Sequence, residues 1–283
     1  KFTERSPFFT YTLLYIHLAN NTFTMKNTIT HIAIIALLSV FTGCNNTKKD
    51  QIATPVIPEA NSVEVTSKAI VQYDYVYINA PSGLSLREDN NLDSKKITVM
   101  PYGTKVKLIS VEENETMTVA GIKGGMNQVE YNDKTGYAFN GYLSSFFPPE
   151  KHIWLKQYIE DLKVSFPTAS YSYTDSGTNN EYDDGIVTIS LPTAKWHEGF
   201  IIGQHLFDIP TSFAFPSQEG SDSQTIENSH KSHEMYSSYL WISRTKNALK
   251  RIYYEQSGEG YGKFVTISKE GDMMEISYWQ TVD

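Results

Sequence analysis

The sequence predicts a mainly β chain: a small β-barrel followed by a second, β-rich (α+β) part that opens with one helix. Three observations carry that prediction. Aromatic residues make up 13% of the chain, with 19 Tyr against 14 Phe and 4 Trp, a balance that favours pleated, half-buried surfaces. Between residues 73 and 147 short alternating runs follow one another with turn residues between them and no helical period. From Tyr239 to Trp279 four longer alternating runs form a meander. The 283 residues allow one or two domains at ~150 residues each, and 40% apolar content against 20% charge is enough for a packed core.

Charge and cysteine content remove several function classes. The net charge of −8 lacks the basic footprint that a nucleic-acid partner requires. The single cysteine, Cys44, makes neither an intrachain disulfide nor a cysteine-rich zinc site.

The first 72 residues read as an address and a tether. Lys26 follows Met25 as a positive start, and Ile32 to Phe41 is a ten-residue apolar run, shorter than the ~18 to 20 residues of a membrane span. Small residues Thr42 and Gly43 lead into Cys44. Val40-Phe41-Thr42-Gly43-Cys44 resembles the lipobox of a bacterial lipoprotein signal peptide, with Phe41 where Leu is more usual. That resemblance implies cleavage before Cys44 and acylation of its thiol and new amine, two chains being enough for a stable anchor. Asn45 stands where Asp marks inner-membrane retention in some enterobacteria, which favours the outer membrane, facing the periplasm. On this reading residues 1–24 lie upstream of the true start and 25–43 are the signal peptide. Removing 1–43 leaves a net charge of −10. Residues 44–72, polar and with Pro55 and Pro58, read as a flexible tether.

In the segment 73–147, strands are predicted at Tyr75–Asn79, Leu84–Arg87, Ile97–Met100, Lys105–Val111, Thr116–Ile122, Met126–Tyr131 and Gly136–Phe139. Pro81-Ser82-Gly83, Tyr102-Gly103, Gly124-Gly125 and Asn132-Asp133 punctuate them, the last as a hairpin turn. Ser82-Gly83-Leu84-Ser85-Leu86-Arg87-Glu88, Met100-Pro101-Tyr102-Gly103-Thr104-Lys105-Val106, and Lys134-Thr135-Gly136-Tyr137-Ala138 with Gly141-Tyr142-Leu143-Ser144 resemble, in order, the opening, middle turn and close of bacterial SH3 (SH3b) domains. Met126 and Tyr137 stand where many members carry Trp. The resemblance implies an SH3-like barrel that binds cell-wall peptide or glycan, or a periplasmic protein. Turn and loop aromatics Tyr102, Tyr137, Phe139 and Tyr142 are the predicted contacts, because Tyr offers an apolar face and a hydroxyl; packing of Tyr137 and Tyr142 within the barrel is the competing reading.

The remainder, 148–283, matches no family we recognise from its sequence. It holds all four Trp, five of the seven His, and 19 acidic against 11 basic residues. A helix is predicted from Pro149 to about Lys163, with Leu155, Tyr158, Ile159 and Leu162 on one face. Strands follow at Gly185–Leu191 and Phe200–Phe207, then a polar loop from about Ser217 to Lys231. The meander comprises Tyr239–Ser243, Leu249–Glu255, Tyr261–Ser268 and Met273–Trp279.

Candidate chemistry is sparse. SH3b domains often accompany cysteine hydrolases, but the only cysteine lies in the lipobox, and no Gly-x-Ser-x-Gly elbow occurs. His230-x-x-His233-Glu234 has metal-ligand spacing in a polar, loop-like setting, and solvated histidines are the favoured reading. His197 reads as a turn residue and His205 as part of a strand. The oxygen-rich run from Asp175 to Asp184 fails the calcium-loop template, since Asn180 takes the glycine position. Gly258-x-Gly260-x-Gly262 lies between strands and reads as a turn. Arg244, Lys246, Lys250 and Arg251 read as a solvated basic face, with contact to an acidic glycan or phosphate as the minority reading; exposed Trp and Tyr residues of this part could stack on sugars, but core is the favoured reading for aromatics in a β domain. No catalytic residue, cofactor or metal is assigned. The sequence thus points to a non-catalytic, lipid-anchored cell-envelope protein. Its rivals are an envelope hydrolase with a metal- or carboxylate-dependent site in 148–283, targeted by the SH3b part, and a structural partner in envelope assembly.

Overall fold

The computed structural model describes residues 74–175, 185–228 and 236–282. Cys44 and its signal segment, the tether, most of the oxygen-rich run, and His230, His233 and Glu234 lie outside the described residues. Residues from Ser67 to Asp283 form one compact unit.

Backbone pairing divides that unit in two. The first sheet is antiparallel and seven-stranded in the order β3-β2-β8-β7-β4-β1-β9, built from β1 (Tyr75–Ile78), β2 (Leu84–Arg87), β3 (Lys96–Met100), β4 (Lys105–Ser110), β7 (Met126–Tyr131), β8 (Lys134–Phe139) and β9 (Leu143–Ser144). A small hairpin, β5 (Met117–Val119) and β6 (Ile122–Gly124), lies beside it. Leu84 and Leu86 are buried while Ser85 and Arg87 between and after them are half-buried, as alternation requires. Gly83 takes φ +82°, and a Cβ there would meet the Met100 carbonyl oxygen at 2.9 Å, so the turn before β2 needs glycine. Asn132 and Asp133, at φ 49° and 58°, make the predicted hairpin turn between β7 and β8.

The second sheet is also antiparallel and seven-stranded, ordered β10-β11-β16-β15-β14-β13-β12. It comprises β10 (Ser170–Thr174), β11 (Ile186–Pro192), β12 (Ser223–Glu227), β13 (Tyr236–Thr245), β14 (Ala248–Gly258), β15 (Tyr261–Glu270) and β16 (Met273–Val282). The predicted meander is thus present with longer strands, and Glu259-Gly260 is a turn between β14 and β15. Helices α1 (Leu155–Leu162) and α2 (Trp196–Leu206) complete the described elements.

Five expectations need correction. The run Thr116–Ile122 is not one strand: Ala120 and Gly121, at φ 48° and 83°, fold it into the β5–β6 hairpin. The helix expected from Pro149 begins at Leu155, because His152 sits at φ 64° and interrupts any earlier turn. The strand expected at Phe200–Phe207 is helix α2, so the described part has two helices rather than one, and His197 and His205 are helical. A short apolar run does not distinguish the two periods. Tertiary contacts decide here: Gly199 and Gly203, one turn apart, let α2 approach the sheet, where an added Cβ would meet Met274 Cγ at 2.7 Å and Ile267 Cδ1 at 3.3 Å. Within the expected loop Ser217–Lys231, β12 pairs with β13 at the sheet edge, a position open to a polar strand with one neighbour. Finally, Arg244 is buried at 4% exposure, donating to the carbonyls of Ser217 and Ser221 and to Gln224 Oε1. It is therefore spent inside the fold and is no part of a solvated basic face.

Candidate functional site

Besides a pocket of about 320 Å³ between residues 212–217 and β12, two places on this unit concentrate polar and aromatic chemistry: a cleft on the first sheet, and the junction between the two sheets. The cleft has a volume of about 210 Å³ and lies against the turn Ala80–Ser85. Arg87, Leu92, Val119, Met126, Phe139 and Tyr142 complete its lining. Its aromatic wall is the Phe139–Tyr142 pair, edge to face at 5.9 Å. Phe139 is buried and Tyr142 half-buried, and burial holds the Tyr142 phenol above its ordinary pKa, so it presents a neutral hydroxyl. At the side, Arg87 Nη1 donates to the Ser94 carbonyl at 2.6 Å, fixing the one cation in the lining. An amide network sets the floor: Asn140 Oδ1 accepts from the Gly125 N–H, and Asn140 Nδ2 donates to the Glu112 carbonyl and to Asn127 Oδ1. These bonds hold Met126, next to Gly125, where it lines the cleft.

Of the four predicted contact residues, Phe139 and Tyr142 meet in the cleft, and Tyr102 and Tyr137 do not line it. Tyr137 is half-buried on β8, paired with Arg87 and Gln128. Tyr102 is at the junction, where its hydroxyl donates to the Pro149 carbonyl at 3.0 Å and its ring lies on His205 at 4.5 Å. Sequence reading missed Leu92, Val119 and Met126 as lining residues, and neither Leu92 nor Val119 carries a motif.

The junction is built from both halves of the chain. Ser144 Oγ on β9 donates to Glu198 Oε1 on α2 at 2.6 Å, both residues buried, and Glu198 Oε2 accepts the Lys195 N–H, closing the first turn of α2. Tyr158 Oη on α1 donates to the Phe147 carbonyl. Burial, with the nearby Lys195 charge second, pushes His197 down to about 3, and burial lowers His205 also. The Nε2 atoms of both are buried without a hydrogen-bond partner. Ser144 bonds the carboxylate directly with no imidazole between them, so the group is built as a clamp rather than as a relay for a nucleophile. Among the described residues no three His, Cys, Asp or Glu side chains group to hold a metal ion, and no helix is long and apolar enough to cross a membrane.

No curated protein and no solved structure matches the chain. One family does, over a segment of it: residues 82–144, from the turn before β2 to the end of β9, match the bacterial SH3 domain.

Proposed function

We propose that the chain is a non-catalytic protein of the bacterial cell envelope that binds cell-wall peptide or glycan through its SH3-like part. The carrying observation is that the matched segment 82–144 holds an aromatic-walled cleft of about 210 Å³ with a single fixed cation, Arg87. A cleft with an edge-to-face aromatic pair, a neutral phenol and backbone-rich turns suits a neutral peptide or glycan better than a polyanion. The rest of this reading is lipid anchoring at Cys44, with 44–72 as tether and an outer-membrane position facing the periplasm.

The test is sedimentation of the full chain with purified cell-wall sacculi. Binding should change little between ~50 and 200 mM salt, because it does not run on counterion release. Tyr142→Ala should weaken it about tenfold in a chain that still melts cooperatively. Binding that vanishes with salt, or that Tyr142→Ala and deletion of 73–147 both leave intact, overturns the reading and points to a periplasmic protein or to 148–283. The anchor is tested separately: Cys44→Ser should abolish incorporation of labelled fatty acid in vivo, and continued labelling overturns it.

A further inference from the structure

The outer face of the second sheet carries side chains that neither the cleft nor the junction uses. The register places Trp241 beside Tyr253, Tyr253 beside Thr266, Thr266 beside Ser277 and Ser277 beside Thr188, so these five leave the sheet on one side. The neighbouring row on the same side is Tyr239, Glu255, Phe264 and Trp279. Residues of the opposite parity, Leu240, Ile252, Val265, Ile267 and Ile276, are buried. Gly199 and Gly203 of α2 pack on Met274 and Ile267 of that buried side, so the aromatic rows face away from the helix.

The rings form two groups on neighbouring strands of this face. Phe264 and Trp279 stack at 5.2 Å and 21°, Tyr253 lies 6.3 Å from Phe264 and 6.0 Å from Trp279, and Tyr239 lies 6.3 Å from Trp241. Trp241 is 37% exposed, and Tyr239, Phe264 and Trp279 are half-buried rather than sealed. The Tyr253 hydroxyl is buried with no hydrogen-bond partner among the described residues.

Charge and composition select the occupant. Glu255 and Glu275 share this face with Arg251, so carboxylates outnumber cations and a polyanion or an anionic bilayer is repelled. Beside the rings stand hydroxyls, with Thr188 and Ser277 bonded to each other at 2.8 Å and Thr266 next to them, groups that pair with the hydroxyl rim of a sugar. Flat apolar rings, flanked by hydroxyl, carboxylate and guanidinium groups, are complementary to an uncharged chain that has apolar C–H faces and a hydroxyl rim.

We propose that the outer face of the second sheet is a binding site for a neutral polysaccharide chain, with Tyr239, Trp241, Phe264 and Trp279 as its stacking shelf. The site is separate from the SH3-like cleft, so the chain would hold the envelope at two points, and linked sites bind more tightly than either alone.

The test uses the full chain in detergent with a neutral β-1,4-linked N-acetylglucosamine hexamer as probe, followed by tryptophan fluorescence and calorimetry. Trp241→Ala and Trp279→Ala should each weaken binding about tenfold. Trp241→Phe should restore most of it, and Trp154→Ala, at a position 85% exposed and off the sheet, should change nothing. Absence of binding at millimolar hexamer overturns the proposal, as does binding that Trp241→Ala leaves intact in a protein with an unchanged melt. Concentration-dependent dimerisation abolished by Trp241→Ala also overturns it, by making a second copy the occupant. Should Trp279→Ala fail to fold, the outward Trp241 position decides alone.

Discussion

Removing the carboxylate of Glu198 should loosen the joint between the two halves of the chain. The residue is 7% exposed and makes two bonds: it accepts from Ser144 Oγ at 2.6 Å across the junction and from the Lys195 N–H at 2.8 Å within α2. A hydrogen bond to a charged group contributes about 1.5–3 kcal/mol, and loss of a helix cap costs ~1 kcal/mol. Glu198→Ala should therefore destabilise by about 2.5–4 kcal/mol. Ser144→Ala removes the first bond together with the one its Oγ accepts from the Phe146 N–H at 3.1 Å, and should cost about 2–4 kcal/mol, leaving a buried carboxylate oxygen short of a donor and a buried N–H short of an acceptor. Because the two residues share one bond, the double variant should be less than additive by about 1–2 kcal/mol. Guanidinium denaturation followed by both tryptophan fluorescence and far-UV circular dichroism measures this. Glu198→Ala should also make the two probes diverge, since Trp196, Trp241 and Trp279 all belong to the second half and the first half would melt separately. A loss below ~0.5 kcal/mol, or additive single effects, would refute the clamp.

Acid should weaken the fold through His197. Its folded pKa of about 3 lies below the ordinary 6.5, so the unfolded chain binds more protons between those values; stability is full above 6.5 and falls as pH drops, by ~2 kcal/mol between pH 7 and 5. The depressed His205 works in the same direction, and His197→Phe should flatten the slope of melting temperature against pH; an unchanged slope would assign it elsewhere. Gly121→Ala should cost about 2–4 kcal/mol in denaturant titration, because φ is +83° and the new Cβ would lie 1.9 Å from the Phe215 carbonyl oxygen of the other half. Arg244→Ala should cost about 3–5 kcal/mol by the same measurement, and Arg244→Lys should recover less than half, since an ammonium cannot reproduce the guanidinium's bonds to Ser217, Ser221 and Gln224.

Legibility in the sequence followed the range of the interaction that decides each element. In the first half, runs bounded by Gly83, Gly103 and Asn132-Asp133 became strands within a residue or two of their predicted limits, because turn chemistry and alternation are local. The Ala120-Gly121 turn was hidden because Ala carries no turn signal at positive φ. Helix α2 was hidden because its identity rests on Met274 and Ile267, some 70 residues away, accepting two glycines. Arg244 looked solvated because its acceptors are backbone carbonyls, which sequence does not display.

The same distinction explains why half the predicted contact residues reached the cleft. Phe139 and Tyr142 are brought together by the short 3-10 turn Asn140–Tyr142, a local structure, and so their proximity was readable. Tyr102 sits at the tip of an SH3-like turn, where exposure is the reasonable inference for an isolated domain. Here that tip is covered, because Pro149 and His205 from the second half take up its hydroxyl and its ring. Tyr102→Phe should thus cost stability, not ligand affinity, whereas Tyr142→Ala should cost affinity. Which face of a two-sided strand is covered is likewise set by its neighbours: alternation in β13 separates Leu240 and Ile242 from Tyr239 and Trp241, but only tertiary packing decides that the aliphatic pair is the buried one. The aromatic rows are the opposite face: composition alone assigns such rings to the core of a β domain, and Trp241, 37% exposed, departs from that expectation.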